Sequence, residues 1–362
     1  MNSLVMAVIG DLVPPRERSR YQAFTGLVPA ISLIAGPFLG GFISDHTTWR
    51  LIFYINLPIG IAAFALIALN MNLPRMVKAV SIDWLGGIWA TLSTTTLLLA
   101  LSWGGERFAW GSSTIIGLFA AAMIGLVLFL YAERKAKEPI LPLSFFRSGI
   151  FNISSVQFML ATLSLFAGMV FIPLFLQSVR GYTGTVAGSF VIPMMLGIII
   201  TSFLSGILIS KTGRYKYWPI LGSALTGGGM WILGGLSMHT SLWAIMAAML
   251  IIGLGQGAMV QVALVAGQNA VPYRFIGAAT GALNFFKSLG GAFGAAIFAA
   301  ILSHEMGSQP TADLIPRAYG HTFMWVLPFM AVSFLLAIMM KEKPLPAEME
   351  KIVSGEEEAP EY

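Results

Sequence analysis

Apolar runs of about twenty residues alternate with short polar segments along almost the whole chain. A helix needs roughly 20 mostly apolar residues to cross a bilayer. Ten stretches meet that requirement: Gln22–Ile43, Leu51–Ala68, Trp84–Trp103, Thr114–Tyr131, Ile153–Leu176, Val186–Ser210, Tyr217–Leu236, Leu242–Val265, Phe275–Leu302 and Thr322–Met340. The pattern predicts an all-α integral membrane protein with ten full transmembrane helices. An eleventh run, Met1–Gly10, is half that length and leads straight into the polar stretch Asp11–Tyr21. It reads as the end of one more helix, so the chain is expected to be truncated at its N-terminus.

Composition agrees. Apolar residues make up 57 % of the chain and charged residues 10 %, against about 25 % charge in soluble domains. A chain this long with so few charges has an apolar outer surface, and lipid is the solvent that suits it. Cysteine is absent, which excludes disulfides and thiolate metal sites. The net charge of +5 is distributed by side rather than by patch. If the segments between spans alternate, 16 of the 21 Lys and Arg residues fall on one side, 4 on the other, and Lys287 lies inside a span. That is the positive-inside pattern of a membrane protein, not a nucleic-acid surface. It places the tail Lys341–Tyr362 and the loop Asp11–Tyr21 in the cytoplasm of a multi-pass cell (inner) membrane protein. The loop Ala132–Gly149 mixes Ile140, Leu141, Leu143, Phe145 and Phe146 with charges and is expected to lie along the membrane surface.

Enzyme chemistry finds no foothold. The chain has no GxxxxGK[ST] phosphate loop, which argues against an ATP-driven pump. His46, His239, His304 and His321 fall at span edges or in loops without metal-ligand spacing. No cofactor or metal is called for.

The most informative local pattern is Gly36-Pro37-Phe38-Leu39-Gly40-Gly41, followed by Trp49-Arg50-Leu51-Ile52-Phe53-Tyr54-Ile55-Asn56-Leu57-Pro58-Ile59-Gly60. Pro37 removes a backbone donor and kinks a helix, while Gly36, Gly40 and Gly41 allow close helix approach. Asn56 is expected to cap or brace a broken helix start. Together the two stretches resemble the drug:proton antiporters of the major facilitator superfamily, in particular the fourteen-helix branch typified by the EmrB/QacA multidrug exporters. The first resembles that family's antiporter motif, with Ser32 where the motif often has Gly. Ser210–Arg214 and the run Asn284–Gly294 around Lys287 are similar to later segments of the same branch. The resemblance implies a major facilitator fold. Residues 1–69 are then the end of the N-terminal bundle and 70–149 two extra central helices with a linker. Residues 150–340 are the C-terminal six-helix bundle and 341–362 a cytoplasmic tail. It further implies secondary active transport, driven by the proton gradient, of small amphipathic drugs or toxic compounds out of the cell, with a periplasmic adaptor as a further partner. An inactive fragment, a membrane scaffold or a narrow-substrate metabolite carrier are the alternatives.

Polar residues inside spans mark the candidate pathway. All sixteen Asp and Glu residues fall in loops, at helix ends or in the tail, so either the proton carrier lies in N-terminal helices expected to be missing from this chain, or a different group does the work. Lys287 is the one charge deep in a span; an unpaired Lys there costs about 3 kcal/mol on insertion scales. It therefore faces water or a polar partner. Asn284, Gln157, Gln256, Gln261 and Gln268 either contact substrate or bind helix to helix. Phe158, Met159, Phe166, Met169, Phe171, Met194 and Met195 are candidates for an adaptable apolar wall.

Overall fold

The computed structural model describes residues 32, 35–36, 38–70, 83–105, 107–136, 139–272, 275–307 and 314–341. These residues form helices and no strand; the nearest approach to sheet is one isolated bridge between Gly104 and Phe108. A helical segment covers 38–46. After it come α1 (Leu51–Tyr54), α2 (Asn56–Asn70), α3 (Trp84–Trp103), α4 (Ser113–Lys135), α5 (Gly149–Arg180) and α6 (Gly184–Ser189). Then follow α7 (Ile192–Thr212), α8 (Tyr217–Gly234), α9 (Leu242–Asn269), α10 (Ile276–Met306), α11 (Leu314–Met324) and α12 (Leu327–Met339). The predicted half-helix Met1–Gly10 and the tail beyond Lys341 lie outside the described residues, and Gln22–Ile43 is described only in its second half.

Eight helical stretches among the described residues are long and apolar enough to span a bilayer. α8 is helical where a span was predicted but is not one of the eight; Gly222, Gly227, Gly228, Gly229 and Gly234 dilute its hydropathy. Helix starts follow local chemistry. Asp83, Ser112, Ser148 and Thr183 each accept a hydrogen bond from a backbone N–H three residues on, satisfying one of the donors a helix N-terminus leaves open. Gly181 and Gly213 close α5 and α7 with φ of 67° and 66°, a conformation that favours glycine.

Three spans are broken at a fixed offset from a proline. The first stretch stops at Tyr54, four residues before Pro58; the second at Ser189, four before Pro193; the third at Met324, four before Pro328. A proline has no N–H to donate to the carbonyl four residues back, so the helix opens there and restarts. Asn56 stands at the first restart and its amide donates to the Ile52 carbonyl (3.3 Å), the bracing expected of it. The last span begins at Leu314, eight residues before the predicted Thr322, because the polar turn Pro316–His321 is itself helical.

α5 and α9 form the centre. α9 packs on α7, α8 and α5, and α5 also packs on α10, α11 and α12. The buried core between them contains Phe171, Phe175, Met194, Met230, Met249, Ile252, Phe298 and Phe323. α3 and α4 pair with each other, and α3 touches the bundle through α10. The loop after α4 packs part of its apolar face against the bundle. Leu141 and Phe145, on a 3₁₀ turn and its approach, are 5 % exposed and join Phe129, Phe151 and Phe158 in a second buried cluster. The reason is an anchor: Glu133 Oε2 accepts from the Leu141 N–H at 3.0 Å, which pulls the loop inward. Two ends of the bundle are used below. The basic end carries Asp83, residues 139–148, Gly213 and Met340; the far end carries residues 47–50, 104–105, 107–112, 181–183 and 235–241.

Candidate functional site

α10 has two unlike faces. One packs on α5 so closely that a methyl group at Gly290 would run into the Met159 carbonyl, and one at Gly294 would sit 2.6 Å from the Leu163 carbonyl. The other carries Gly277, Gly281, Asn284, Lys287 and Ser288, all exposed. Among the described residues, Gly277 and Gly281 have no neighbouring atom where a side chain would begin. This small, polar stripe is thus left uncovered by the described elements, save where Lys287 reaches Phe158 of α5.

Lys287 is the twelfth residue of the 31-residue α10. Its Nζ lies 5.6 Å from the centroid of the Phe158 ring, which is 2 % exposed. Among the described residues its nitrogen has no carboxylate within ion-pair distance. A cation–π contact contributes about 0.5–2 kcal/mol, short of the roughly 3 kcal/mol that a charge costs at mid-membrane. The balance favours water or a polar group on the open side of the stripe. Asn284, one turn before Lys287, is exposed with it. Ser288 turns its hydroxyl back to the Asn284 carbonyl (2.9 Å).

The structure brings Lys287, Asn284 and Phe158 together and separates them from the other predicted pathway residues. Gln157 is fully buried; its amide donates to the Ser333 carbonyl (2.6 Å) and accepts from the Ser333 hydroxyl (3.0 Å). It binds α5 to α12. Gln256 is also buried and donates to Ser164 (2.7 Å), binding α9 to α5. Met194 is fully buried against Gly253 and Gly168, a packing position between α7, α9 and α5. Gln268 donates to Thr280 (2.7 Å), and Gln261 is half-buried on α9. A cavity of about 820 Å³ opens at the far end, lined by Ser102, Trp110, His304, Glu305 and Trp325; none of the pathway candidates lines it.

The residues of the antiporter-like motif divide. Gly36 and Gly40 have no neighbour where a side chain would begin, and Pro37 lies outside the described residues. Gly41 meets the backbone of Gly184 so closely that no β-carbon fits. One turn on, Asp45 accepts hydrogen bonds from Gly184 N–H (2.9 Å), Thr185 N–H (2.7 Å) and the Thr185 hydroxyl (2.6 Å). The Thr185 hydroxyl, then its N–H, hold the Asp45 carboxyl below its ordinary value. This clasp joins the motif helix to the start of α6. Sequence reasoning placed Asp45 at a span edge but not its partners. Nothing local in the sequence ties residue 45 to the start of α6, 140 residues on.

Known proteins share this sequence over most of its length. The family profile of the Major Facilitator Superfamily matches residues 1–295. The multidrug transporter protein MdtP of Bacillus subtilis (strain 168) is 35 % identical over 334 residues, 92 % of this chain and 60 % of that protein. An uncharacterized MFS-type transporter of Mycobacterium tuberculosis (strain ATCC 25618 / H37Rv) is 32 % identical over 370 residues, 94 % of this chain and 54 % of the relative. Multidrug resistance protein 3 of Bacillus subtilis (strain 168) is 32 % identical over 298 residues, 82 % of this chain and 58 % of that protein. The chain thus spans between half and two thirds of the length of these relatives. With its apolar spans and glycine-packed bundle, this chain is a multi-pass membrane protein that belongs to the major facilitator superfamily.

Proposed function

We propose that the chain is part of a proton-coupled exporter of amphipathic drugs or toxic compounds, and that the stripe on α10 is one wall of its pathway. The observation that carries this reading is Lys287, a charge at mid-span, exposed beside Asn284 on a face that no described element covers. A transporter needs such a polar surface within the membrane, whereas a scaffold has no use for its cost. Relatives named multidrug transporter and multidrug resistance protein support export of drugs. In this reading the ten sequence-defined spans are helices five to fourteen of the fourteen-helix branch. α3 and α4 are its extra central pair, and the domains follow the boundaries 1–69, 70–149, 150–340 and 341–362. The basic end faces the cytoplasm of a cell inner membrane, and a periplasmic adaptor is a partner. Two bundles rocking about a central site would deliver substrate outward as a proton enters.

The test is dye efflux from cells stripped of their own exporters, carrying the full open reading frame that encodes this chain. Efflux that stops when the proton gradient is collapsed supports the reading. Lys287→Ala should lower efflux of neutral and anionic amphiphiles about tenfold or more, while cationic ethidium is lost less or gains, since removing a fixed positive charge eases a cation's passage. No efflux of any compound in a varied panel would leave a narrow-substrate carrier or an inactive product as the better account.

A further inference from the structure

Asp83 immediately precedes α3, and Glu133 lies in the last turns of α4. One oxygen of each is accounted for: Asp83 Oδ1 accepts from Gly86 N–H (2.8 Å) and Glu133 Oε2 from Leu141 N–H (3.0 Å). The second oxygens, Asp83 Oδ2 and Glu133 Oε1, are buried and have no hydrogen-bond partner among the described residues. They converge on one point. A β-carbon on Gly86 would run into Asp83 Oδ2 and sit 3.0 Å from Glu133 Oε1. The two bare oxygens therefore face each other across the open side of Gly86.

Among the described residues, nothing in the surroundings neutralises them. Glu133 is 4 % exposed. It follows Phe129 by one turn and bonds to Leu141, both part of the buried apolar cluster with Phe145 and Phe151. The described cations of the neighbouring elements are engaged or turned elsewhere. Lys135 of α4 stands over Tyr131 (4.5 Å) and Lys287 of α10 over Phe158, while Arg134 of α4 and Arg147 of the 3₁₀ turn are exposed. No cationic nitrogen among the described residues lies within 4.0 Å of either carboxylate. Two like charges this close, away from bulk water, repel strongly. A single proton removes that repulsion and gives both oxygens a partner.

We propose that Asp83 and Glu133 form a proton-binding site that holds one proton between Asp83 Oδ2 and Glu133 Oε1. The proton comes from and returns to solvent; one O–H bond forms or breaks and no other bond changes. When loaded, the pair fastens the start of α3 to the end of α4 and, through Glu133 Oε2, to the loop that carries Leu141. When empty, mutual repulsion parts them. The site requires nothing of the export reading and stands or falls separately from it.

Infrared difference spectroscopy of the purified full chain through a pH titration, in ordinary and heavy water, tests it. Isotope-labelled aspartate and glutamate assign the bands in the unaltered protein. The wild type should show a protonated-carboxyl carbonyl band that shifts on deuteration and with either label. Asp83→Asn and Glu133→Gln should each abolish it. A band that survives in both variants, or two carboxylates ionised throughout the titration, would overturn the proposal. So would loss of the band on adding sodium, magnesium or calcium at constant pH, which would assign the pair to a metal cation.

Discussion

Gln157 and Lys287 show how two polar residues of similar sequence setting part company in the folded chain. Both lie within apolar runs, yet Gln157 uses both ends of its amide on Ser333 while Lys287 faces outward. Nothing local separates them, because the partner of Gln157 is 176 residues away. What is legible at this scale is chemical type and depth; which side of its helix a residue faces depends on neighbours. Gln157→Leu should cost about 1–2 kcal/mol, the upper range of hydrogen bonds between membrane helices. In a thermal or denaturant titration in detergent, Gln157→Leu combined with Ser333→Ala should cost less than the sum of the two single changes. Strict additivity would mean the two side chains are not coupled.

At the scale of elements, long apolar runs were readable because a membrane helix needs only length and composition. Breaks within those runs were readable in principle from proline position, as Pro58, Pro193 and Pro328 each end a helix four residues upstream. The inward loop at Leu141 was not, since the bond that draws it in comes from Glu133 on another element. The α5–α10 seam is a backbone contact that glycine alone permits. Gly290→Val should therefore destabilise by about 1–3 kcal/mol or more through overpacking. Gly277→Ala, with no described atom within 4 Å of its added carbon, should leave the unfolding midpoint almost unchanged. Equal effects of the two substitutions would show that the seam is looser than described.

For the molecule as a whole, the Asp45 clasp ties the motif helix to the large bundle. Its carboxyl is held below its ordinary value by bonds to the ionised form. The clasp's contribution is thus complete above the unfolded carboxyl's pKa, near 4, and is lost as pH falls through the lower value of the clasped group. The chain has no cysteine, so spin labels placed by Ser44→Cys and Val186→Cys report only on this junction. The distance between them should stay narrow from neutral pH down to about 4 and broaden in stronger acid. With Asp45→Asn it should broaden at neutral pH; an unchanged distribution there would assign the junction to the Gly41–Gly184 contact alone.

The proline breaks also fix where the molecule is mechanically soft. Each falls in the half of its span nearer the far end, and Pro173, inside α5, lies toward that end as well. Pro219, at the basic end, occupies the first turn of α8, where its missing N–H disrupts nothing. At residues 55, 190–191 and 325–326 each proline leaves one carbonyl a turn back without its helical N–H, so bending there meets fewer hydrogen bonds than within an unbroken helix. Among the described residues, compliance is therefore concentrated at the far mouth of the bundle.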